Sequence, residues 1–389
     1  MLHRELTTHK SKSFFLFGPR QTGKTTLIKS LLRPADLYIN LLPQRVSLGY
    51  ANEPGRFHAE VLAHVRLHPK ALVIVDEVQK VPALLDDVHD LIEDHGIRFA
   101  LTGSSARKLR RSGSNLLAGR AYTYKLYPLT ERELGAAFNL ERALTVGCLP
   151  ALWNPSADED PVEFLRTYVD TYLREEIAME GLVKDLAPFA RFLDLAAAND
   201  GEIINFSAFA RDCGVSVKTV QAYFQILEDT FLAFKISPWL RSARKRLVAH
   251  PKFFLFDPGV TNALAHTLHS PLPAAVRGRR FEQFLTLQIK ARLDYDHTDL
   301  ALSFWRTNTG QEVDLLLSRG DLVLAAVEIK STPRLDPGDL NGLRAFRADY
   351  PQARSLVVGP FDRRRQLADN IEAVPWREFL TTDLSAIGR

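Results

Sequence analysis

A glycine-containing segment near residue 20 has the residue types and spacing of a phosphate-binding loop. It fits the pattern GxxxxGK[ST] at every fixed position. Its residues are Gly18, Pro19, Arg20, Gln21, Thr22, Gly23, Lys24 and Thr25. Glycine lets consecutive backbone N–H groups point towards one phosphate cluster, the lysine neutralises phosphate oxygens, and the last hydroxyl binds Mg²⁺. With Thr26 as a further contact, the segment predicts a site for ATP and Mg²⁺.

Two carboxylates after an apolar run predict the partner of this loop. The run 71–75 is followed by Asp76 and Glu77. At the end of a buried strand, Asp76 is suited to hold Mg²⁺ directly or through water, and Glu77 is suited to polarise the attacking water. Lys24, Asp76 and Glu77 are therefore predicted to be catalytic, with Thr25 and Asp76 holding the metal.

A third apolar run, 98–102, ends in polar residues that can sense the nucleotide. We expect Thr102 or Ser104 to contact the γ-phosphate or the attacking water, and Thr102 is the predicted catalytic residue. The alternative is an ordinary polar strand end with no role in the reaction.

Arginines further along the chain can supply positive charge to a neighbouring subunit. An arginine provided in trans stabilises the charge that develops during phosphoryl transfer. The candidates are Arg107, Arg110, Arg111 and Arg120. Arg120 is the first choice and implies a homo-oligomer, while a surface salt bridge is an equally open interpretation of the same residue.

The elements that position these residues follow from the pattern of apolar runs. Up to about residue 150, the runs 14–17, 37–40, 71–75 and 98–102 alternate with helical patterns. Such alternation predicts a parallel sheet covered by helices. The glycine-containing segment follows the first run and precedes a helical pattern, which is the strand–loop–helix context that a phosphate-binding loop requires.

A helix-turn-helix pattern spans residues 206–227. Gly214 can adopt the left-handed turn conformation, and Ser216 is suited to cap the second helix. Lys218, Thr219 and Gln221 would then point outward, as in a helix that reads a DNA groove.

A basic segment follows, between apolar runs at 231–236 and 252–256. Its cations are Arg241, Arg244, Lys245 and Arg246. The pattern predicts a winged helix with a cationic wing, and phosphate contacts from such cations supply most non-specific DNA affinity. The other interpretation is a winged helix used as a lid or as a subunit-packing domain.

The C-terminal third carries acidic residues in a D…ExK arrangement. Asp314 lies in one apolar run and Glu328-x-Lys330 ends the next, while Glu282 lies on a preceding helix. Residues two apart on a strand share a face, so the carboxylates could hold a second Mg²⁺ beside the lysine. The pattern resembles PD-(D/E)xK nuclease cores, and both cleavage and a purely binding or structural use remain open.

Taken together, these residues resemble those of a known family. The matching pieces are residues 18–26, 76–80, 102–105, 119–120, 128–129, Glu133, 256–259 and 312–314. The sequence resembles the bacterial and archaeal AAA-like ATPases that carry a C-terminal domain of unknown function called DUF4143. It departs from them at 147–150, where the family has a double glycine before proline, and at Glu176, where aspartate is usual.

The resemblance implies an α/β fold with three parts. These are a P-loop AAA-like parallel-sheet domain at 1–153, a helical and winged-helix domain at 162–265, and a restriction-endonuclease-like domain at 275–389. The Pro- and Asp-rich segment 154–161 is the expected linker.

Composition sets limits on the class of protein. The chain has 389 residues, a net charge of +4 and only two cysteines, and its first residues carry no apolar signal segment. We therefore expect a cytoplasmic protein without a membrane span, a disulfide framework or a structural zinc site.

Three functions are consistent with the whole pattern. The leading one is an ATPase that acts on DNA as a motor or remodeller through its winged helix and C-terminal domain. The alternatives are an ATP-dependent regulatory switch that binds a protein partner, and an ATP-gated, Mg²⁺-dependent nuclease.

Overall fold

The computed structural model describes residues 3–9, 11–53, 55–107, 109, 117, 119–154, 160–173, 185–239, 250–268, 271–382 and 384. The chain divides into two compact units. The first comprises Met1–Glu133, Leu149–Ala151 and Leu227–Leu232, and the second comprises Leu134–Cys148, Leu152–Ile226 and Ala233–Arg389.

The first unit is built on a parallel sheet. Its strands are β1 (Ser13–Phe17), β2 (Leu37–Asn40), β3 (Leu72–Asp76), β4 (Arg98–Gly103) and β5 (Ala121–Lys125). They lie in the order β2-β3-β4-β1-β5, and each neighbouring pair is parallel. Parallel strands covered on both faces are apolar throughout, which explains why the four predicted runs carry little polar alternation.

Helices cover this sheet. They are α1 (Lys24–Leu31), α2 (Gln44–Asn52), α3 (Arg56–Leu67) and α4 (Leu84–His95), followed by the short α5 (Glu131–Leu134). Phe57 and Val61 of α3 and Val88 of α4 are buried in one cluster with Phe15 and Phe99 of the strands. The apolar stripes of α3 and α4 thus form this core with the sheet.

The helices α6 to α14 continue the chain. They are α6 (Leu140–Val146), α7 (Pro161–Thr167), α8 (Leu186–Ala198), α9 (Phe206–Cys213), α10 (Val217–Asp229), α11 (Pro258–Leu264), α12 (Ala274–Tyr295), α13 (Asn341–Asp349) and α14 (Trp376–Thr381). Several begin at a side chain that accepts a backbone N–H: Asp160 caps α7, Asp185 caps α8 and Asp257 caps α11. Residues 155–159 of the expected linker lie outside the described residues.

The second unit contains a mixed sheet. Its strands are β6 (Ala233–Pro238), β7 (Lys252–Leu255), β8 (Ala301–Arg306), β9 (Glu312–Arg319), β10 (Leu322–Ile329), β11 (Arg354–Gly359), β12 (Arg365–Gln366) and β13 (Ile371–Pro375). The order is β12-β13-β11-β10-β9-β8-β6-β7. The hairpin β6–β7 joins the C-terminal strands through parallel pairing of β6 with β8. The predicted α/β class, with a parallel N-terminal sheet, a helical middle and a C-terminal α/β part, is confirmed.

Among the residues that the structure describes, no helix is both long and apolar enough to span a bilayer.

Candidate functional site

The predicted phosphate-binding loop joins β1 to α1, with Lys24 and Thr25 as the first residues of the helix. A side chain at Gly18 would collide with the backbone carbonyl of Leu126, so only glycine fits there. Gly23 has a φ of 91°, in the left-handed region that glycine adopts without strain. The loop geometry therefore depends on its two glycines.

Lys24 is 5% exposed and its ammonium group is held inside the loop. Its Nζ donates to the carbonyl oxygens of Gly18 at 2.9 Å and Pro19 at 2.8 Å. The Thr22 hydroxyl donates to the same Pro19 oxygen at 2.9 Å. The positive charge thus lies within the turn, where two neutral carbonyl oxygens accept from it.

Asp76, at the end of β3, is surrounded by hydroxyl groups. Its Oδ2 accepts from the Thr25 hydroxyl at 2.9 Å and from the Tyr38 hydroxyl at 2.7 Å. Its Oδ1 accepts from the Thr102 hydroxyl. These residues meet because the carboxyl ends of parallel β2, β3 and β4 lie at one edge of the sheet, beside the start of α1. Asp76 is only 2% exposed, and all three of these donors are neutral.

Glu77 occupies a turn between β3 and a short 3₁₀ helix. Its φ is 62°, which is unusual for a residue with a side chain and is common at functional sites. Its backbone N–H donates to the Thr102 hydroxyl at 3.2 Å, and its carboxylate accepts from the Gln79 amide. The same amide donates to the Ser104 hydroxyl at 3.1 Å. Thr102 therefore contacts both carboxylate residues, whereas Ser104 reaches Glu77 through Gln79.

Tyr38 and Gln79 are contacts that the motif analysis did not identify. Burial, and then the hydrogen bond to Asp76, raise the pKa of the Tyr38 hydroxyl, so it remains a donor. Tyr38 lies on the strand next to Asp76, two residues before the register partner of that carboxylate, Asn40. Strand register, which the sequence alone does not fix, decides that the tyrosine faces the site.

Arg4 also braces the loop from the N-terminal segment. Its guanidinium donates to the carbonyl of Thr22 at 2.6 Å and to the carbonyl of Tyr127 at 2.7 Å. It also forms an ion pair with Glu133 at 2.9 Å. No motif includes this arginine, because its role depends on contacts far away in the sequence.

The four candidate arginines fall in different places. Arg120 forms an ion pair with Glu93, and this arginine lowers the pKa of the glutamate through its hydrogen bond. Arg107 lies 3.3 Å from the carboxylate of Asp229, whose carbonyl also accepts from the Ala106 N–H at 3.2 Å. Arg110 and Arg111 lie outside the described residues.

The predicted helix-turn-helix corresponds to α9 and α10. Gly214 ends α9 with a φ of 72°, and the Ser216 hydroxyl accepts the Thr219 N–H at 3.1 Å. Lys218 and Gln221 are exposed. Thr219 is half-buried, and its hydroxyl bonds to Ser216. Two of the three predicted groove-reading side chains therefore face outward, while the third takes part in the cap.

The strands on either side of the predicted wing form the antiparallel pair β6–β7. The basic residues proposed for the wing itself, Arg241, Arg244, Lys245 and Arg246, lie outside the described residues.

The four residues of the C-terminal D…ExK pattern belong to one polar cluster, but Lys252 lies among them. The ammonium of this lysine is 3.1 Å from Glu282, 2.6 Å from Glu312 and 3.9 Å from Asp314. Lys252 is the first residue of β7 and is 4% exposed. In the sequence, Lys252 is recognisable only as a single charged residue directly before the apolar run of β7.

Glu328 and Lys330 form the other half of this acidic cluster. The Lys330 ammonium lies 3.0 Å from Glu328 and 3.2 Å from Asp339. The second oxygen of Asp314 accepts the Ile329 N–H at 2.7 Å. Both lysines therefore bind carboxylates directly.

Burial controls the ionisation of the acidic cluster. It raises the pKa of Glu282 to about 7 and also raises the pKa of Asp314 and, well above its usual range, that of Glu328. Burial opposes the charge on Lys252, but Glu282, Asp314 and Glu312 outweigh it and raise the lysine pKa. Lys252 is therefore an ammonium at neutral pH.

The two sites differ in how well they fit a metal. Across the described ranges, no group of three or more His, Cys, Asp and Glu side chains could hold a metal ion. In the first unit this is no obstacle, because Mg²⁺ at nucleotide sites needs only one or two protein oxygens besides phosphates and water. In the second unit an ammonium already contacts the carboxylates that a metal would need.

Three family models match successive parts of the chain. An AAA domain matches residues 10–135, a domain of unknown function (DUF8612) matches 137–270, and a domain of unknown function (DUF4143) matches 277–379. The AAA and DUF4143 matches confirm the predicted resemblance.

Whole-chain relatives are also found. The chain is 27% identical over 383 residues to an uncharacterized protein of Mycobacterium tuberculosis, covering 96% of this chain and 82% of the relative. It is 26% identical over 325 residues to an uncharacterized protein of Haemophilus influenzae, covering 78% of this chain and 76% of the relative. The match to the mycobacterial protein thus spans all three domains.

Proposed function

We propose that this chain, in which an ATPase-like AAA domain precedes a DUF8612 and a DUF4143 domain, binds ATP with Mg²⁺ and hydrolyses it. The supporting observation is the 2.9 Å hydrogen bond between the Thr25 hydroxyl and the Asp76 carboxylate. These groups come from the loop and from the acidic strand end, 51 residues apart, and they are the two oxygens that the mechanism needs side by side.

Each residue then has a defined task. The Gly18–Gly23 loop N–H groups and the first turn of α1 bind phosphate oxygens, and the Lys24 ammonium neutralises their charge. Thr25 and Asp76 hold Mg²⁺, which neutralises charge on the β- and γ-phosphates when bound. Glu77 orients the attacking water and accepts its proton, while Thr102 keeps the two acidic residues in fixed relation.

The test is ATP hydrolysis by the purified full chain in the presence of Mg²⁺. We expect Lys24→Ala to lower the rate by about a hundredfold or more, since one charged phosphate contact is lost. Lys12→Ala, which removes an exposed lysine before β1, serves as the matched control. Normal hydrolysis by the Lys24→Ala protein would contradict the proposal.

DNA is the proposed substrate on which this ATPase acts. Exposed Lys218 and Gln221 on α10, opposite the buried Val220 and Phe224, support a helix that can approach a DNA groove. We expect duplex or single-stranded DNA to stimulate the ATPase, with a stimulation that falls steeply as salt rises. Lys218→Ala should weaken the stimulation by DNA. Lys70→Ala, a control at another exposed lysine, should leave it unchanged. An ATPase indifferent to DNA that binds a protein partner stably would favour the regulatory switch instead.

A homo-oligomer is the proposed active form, with Arg120 acting on the nucleotide of the adjacent subunit. Arg120 is partly exposed beside Glu93, so its side chain can change partners at little cost. Mass measurement with and without ATP tests assembly. Arg120→Ala should reduce turnover without reducing ATP affinity, and an active monomer would rule out this role.

A further inference from the structure

We infer that Lys252 takes the place of a divalent cation in the acidic cluster of the second unit, so that the native chain binds no Mg²⁺ or Mn²⁺ there. The inference goes beyond the proposed ATPase and does not depend on it. It concerns the residues that, from sequence, resemble a nuclease centre.

The position of the ammonium is the first argument. Lys252 Nζ contacts Glu282 on α12 and Glu312 on β9 at 3.1 and 2.6 Å, and lies 3.9 Å from Asp314 on β9. It therefore bridges the same carboxylates that a metal would have to collect. An ammonium has no lone pair, so it cannot act as a ligand and excludes a cation by charge and volume.

Other oxygens of the cluster are also occupied, although Glu328 Oε2 is buried without a hydrogen-bond partner among the described residues. Asp314 Oδ2 accepts the Ile329 N–H, and Arg306 binds the second oxygen of Glu312 at 3.2 Å. Lys330, the lysine of the D…ExK pattern, bonds directly to Glu328 at 3.0 Å. Each of these carboxylates thus already has a cation of the same unit beside it.

The fold explains why a lysine from outside the C-terminal strands reaches this point. Parallel pairing of Ser237 with Ser303 attaches the β6–β7 hairpin to the sheet, and Lys252 opens β7. The lysine belongs to the segment matched by DUF8612, whereas the carboxylates belong to the segment matched by DUF4143. The ion pairs therefore tie two sequence domains into one unit, and the cluster acts as a structural junction.

The inference is tested by titrating the full chain with Mn²⁺ in the absence of nucleotide. Electron paramagnetic resonance measures the number of Mn²⁺ ions bound per chain. Wild-type protein and Asp314→Asn, which keeps an oxygen acceptor for the Ile329 N–H, should bind the same number of Mn²⁺ ions. Asp76→Asn in both proteins removes any contribution from the first unit. Loss of one bound Mn²⁺ on Asp314→Asn substitution would overturn the inference.

A second variant tests the lysine itself. Lys252→Met keeps most of the length of the side chain and removes its charge, so the folded variant should gain about one Mn²⁺ per chain that Asp314→Asn then abolishes. Circular dichroism establishes whether Lys252→Met is folded. A folded variant with no such gain would show that the lysine is not what excludes the cation. If the variant does not fold, the wild-type and Asp314→Asn pair decides the question.

Discussion

The two units each hold an aspartate among polar side chains of a sheet, but the aspartates have different partners. Asp76 in the first unit accepts hydrogen bonds from three hydroxyls, whereas Asp314 in the second faces an ammonium and a backbone N–H. Neutral donors can be exchanged for a metal without leaving a charge unpaired. A metal that displaces an ammonium from a buried carboxylate leaves the buried ammonium without a partner.

The lysines make the same contrast. Lys24 donates to two carbonyl oxygens of its own loop, which are neutral acceptors. Lys252 is held by carboxylates. We conclude that readiness for a ligand depends on the charge of the partners, and residue types alone do not reveal it.

The strongest test of the first unit is Glu77→Gln. Removing the carboxylate that accepts the proton should lower the rate of ATP hydrolysis by about a hundredfold to ten-thousandfold. Binding of ATP should persist, because Lys24, Thr25 and Asp76 remain. Hydrolysis is measured by phosphate release and binding by calorimetry, with exposed Glu53→Gln as the control. A variant that loses ATP binding as well would show that Glu77 is needed to form the nucleotide-binding site and does not act only in hydrolysis.

Removal of the buried ammonium group of Lys252 tests the second unit in this comparison. Lys252→Met should lower the free energy of unfolding by about 3–5 kcal/mol, because the acidic cluster loses its main cation. Lys70→Met, at an exposed lysine, should change this free energy by no more than about 0.5 kcal/mol. Urea unfolding measures both. Equal effects would mean that the Lys252 cluster contributes no more than an exposed lysine.

Tyr38→Phe sharpens the description of Asp76. Without the hydroxyl, the carboxylate is less firmly oriented, and we expect the Mg²⁺ concentration needed for half-maximal ATPase activity to rise about tenfold. The maximal rate at saturating Mg²⁺ should change little. Exposed Tyr122→Phe is the matched control. An unchanged Mg²⁺ requirement would show that Thr25 and Thr102 suffice to position Asp76.

The pH dependence of stability gives a further test of the second unit. Burial raises the pKa of Glu282 to about 7 in the folded chain, so the folded state retains a proton that the unfolded chain loses near pH 4 to 5. The contribution of Glu282 to the free energy of unfolding should therefore fall as pH rises from about 4.5 to about 7 and level off above that range. Glu282→Gln should flatten this decline, and exposed Glu202→Gln should leave it unchanged. Urea unfolding at several pH values decides between these outcomes.

The loop and its acidic strand end were predictable because both are local patterns. Lys24 and Thr25 are fixed by spacing within one segment, and Asp76 follows directly from an uninterrupted apolar strand. The parallel sheet followed from the same apolar runs. Consecutive residues and simple periodicity carry this information.

The partners of these residues were not predictable in the same way. Tyr38 contacts Asp76 because of the strand register. Arg4 contacts both the loop and Glu133, and Glu133 lies 129 residues further along the chain. Lys252 reaches the acidic cluster because a hairpin from one sequence domain extends the sheet of another. Such contacts depend on tertiary packing that a single sequence does not display.

The junction between β6 and β8 has a practical consequence for work with isolated fragments. A fragment limited to 277–379 would lack β6 and leave β8 as an open sheet edge, and it would also lack Lys252. An exposed edge strand templates pairing with other chains, so such a fragment is expected to aggregate. A fragment that begins before Ala233 retains the covering strand together with the lysine, and is the better choice for expression and crystallisation.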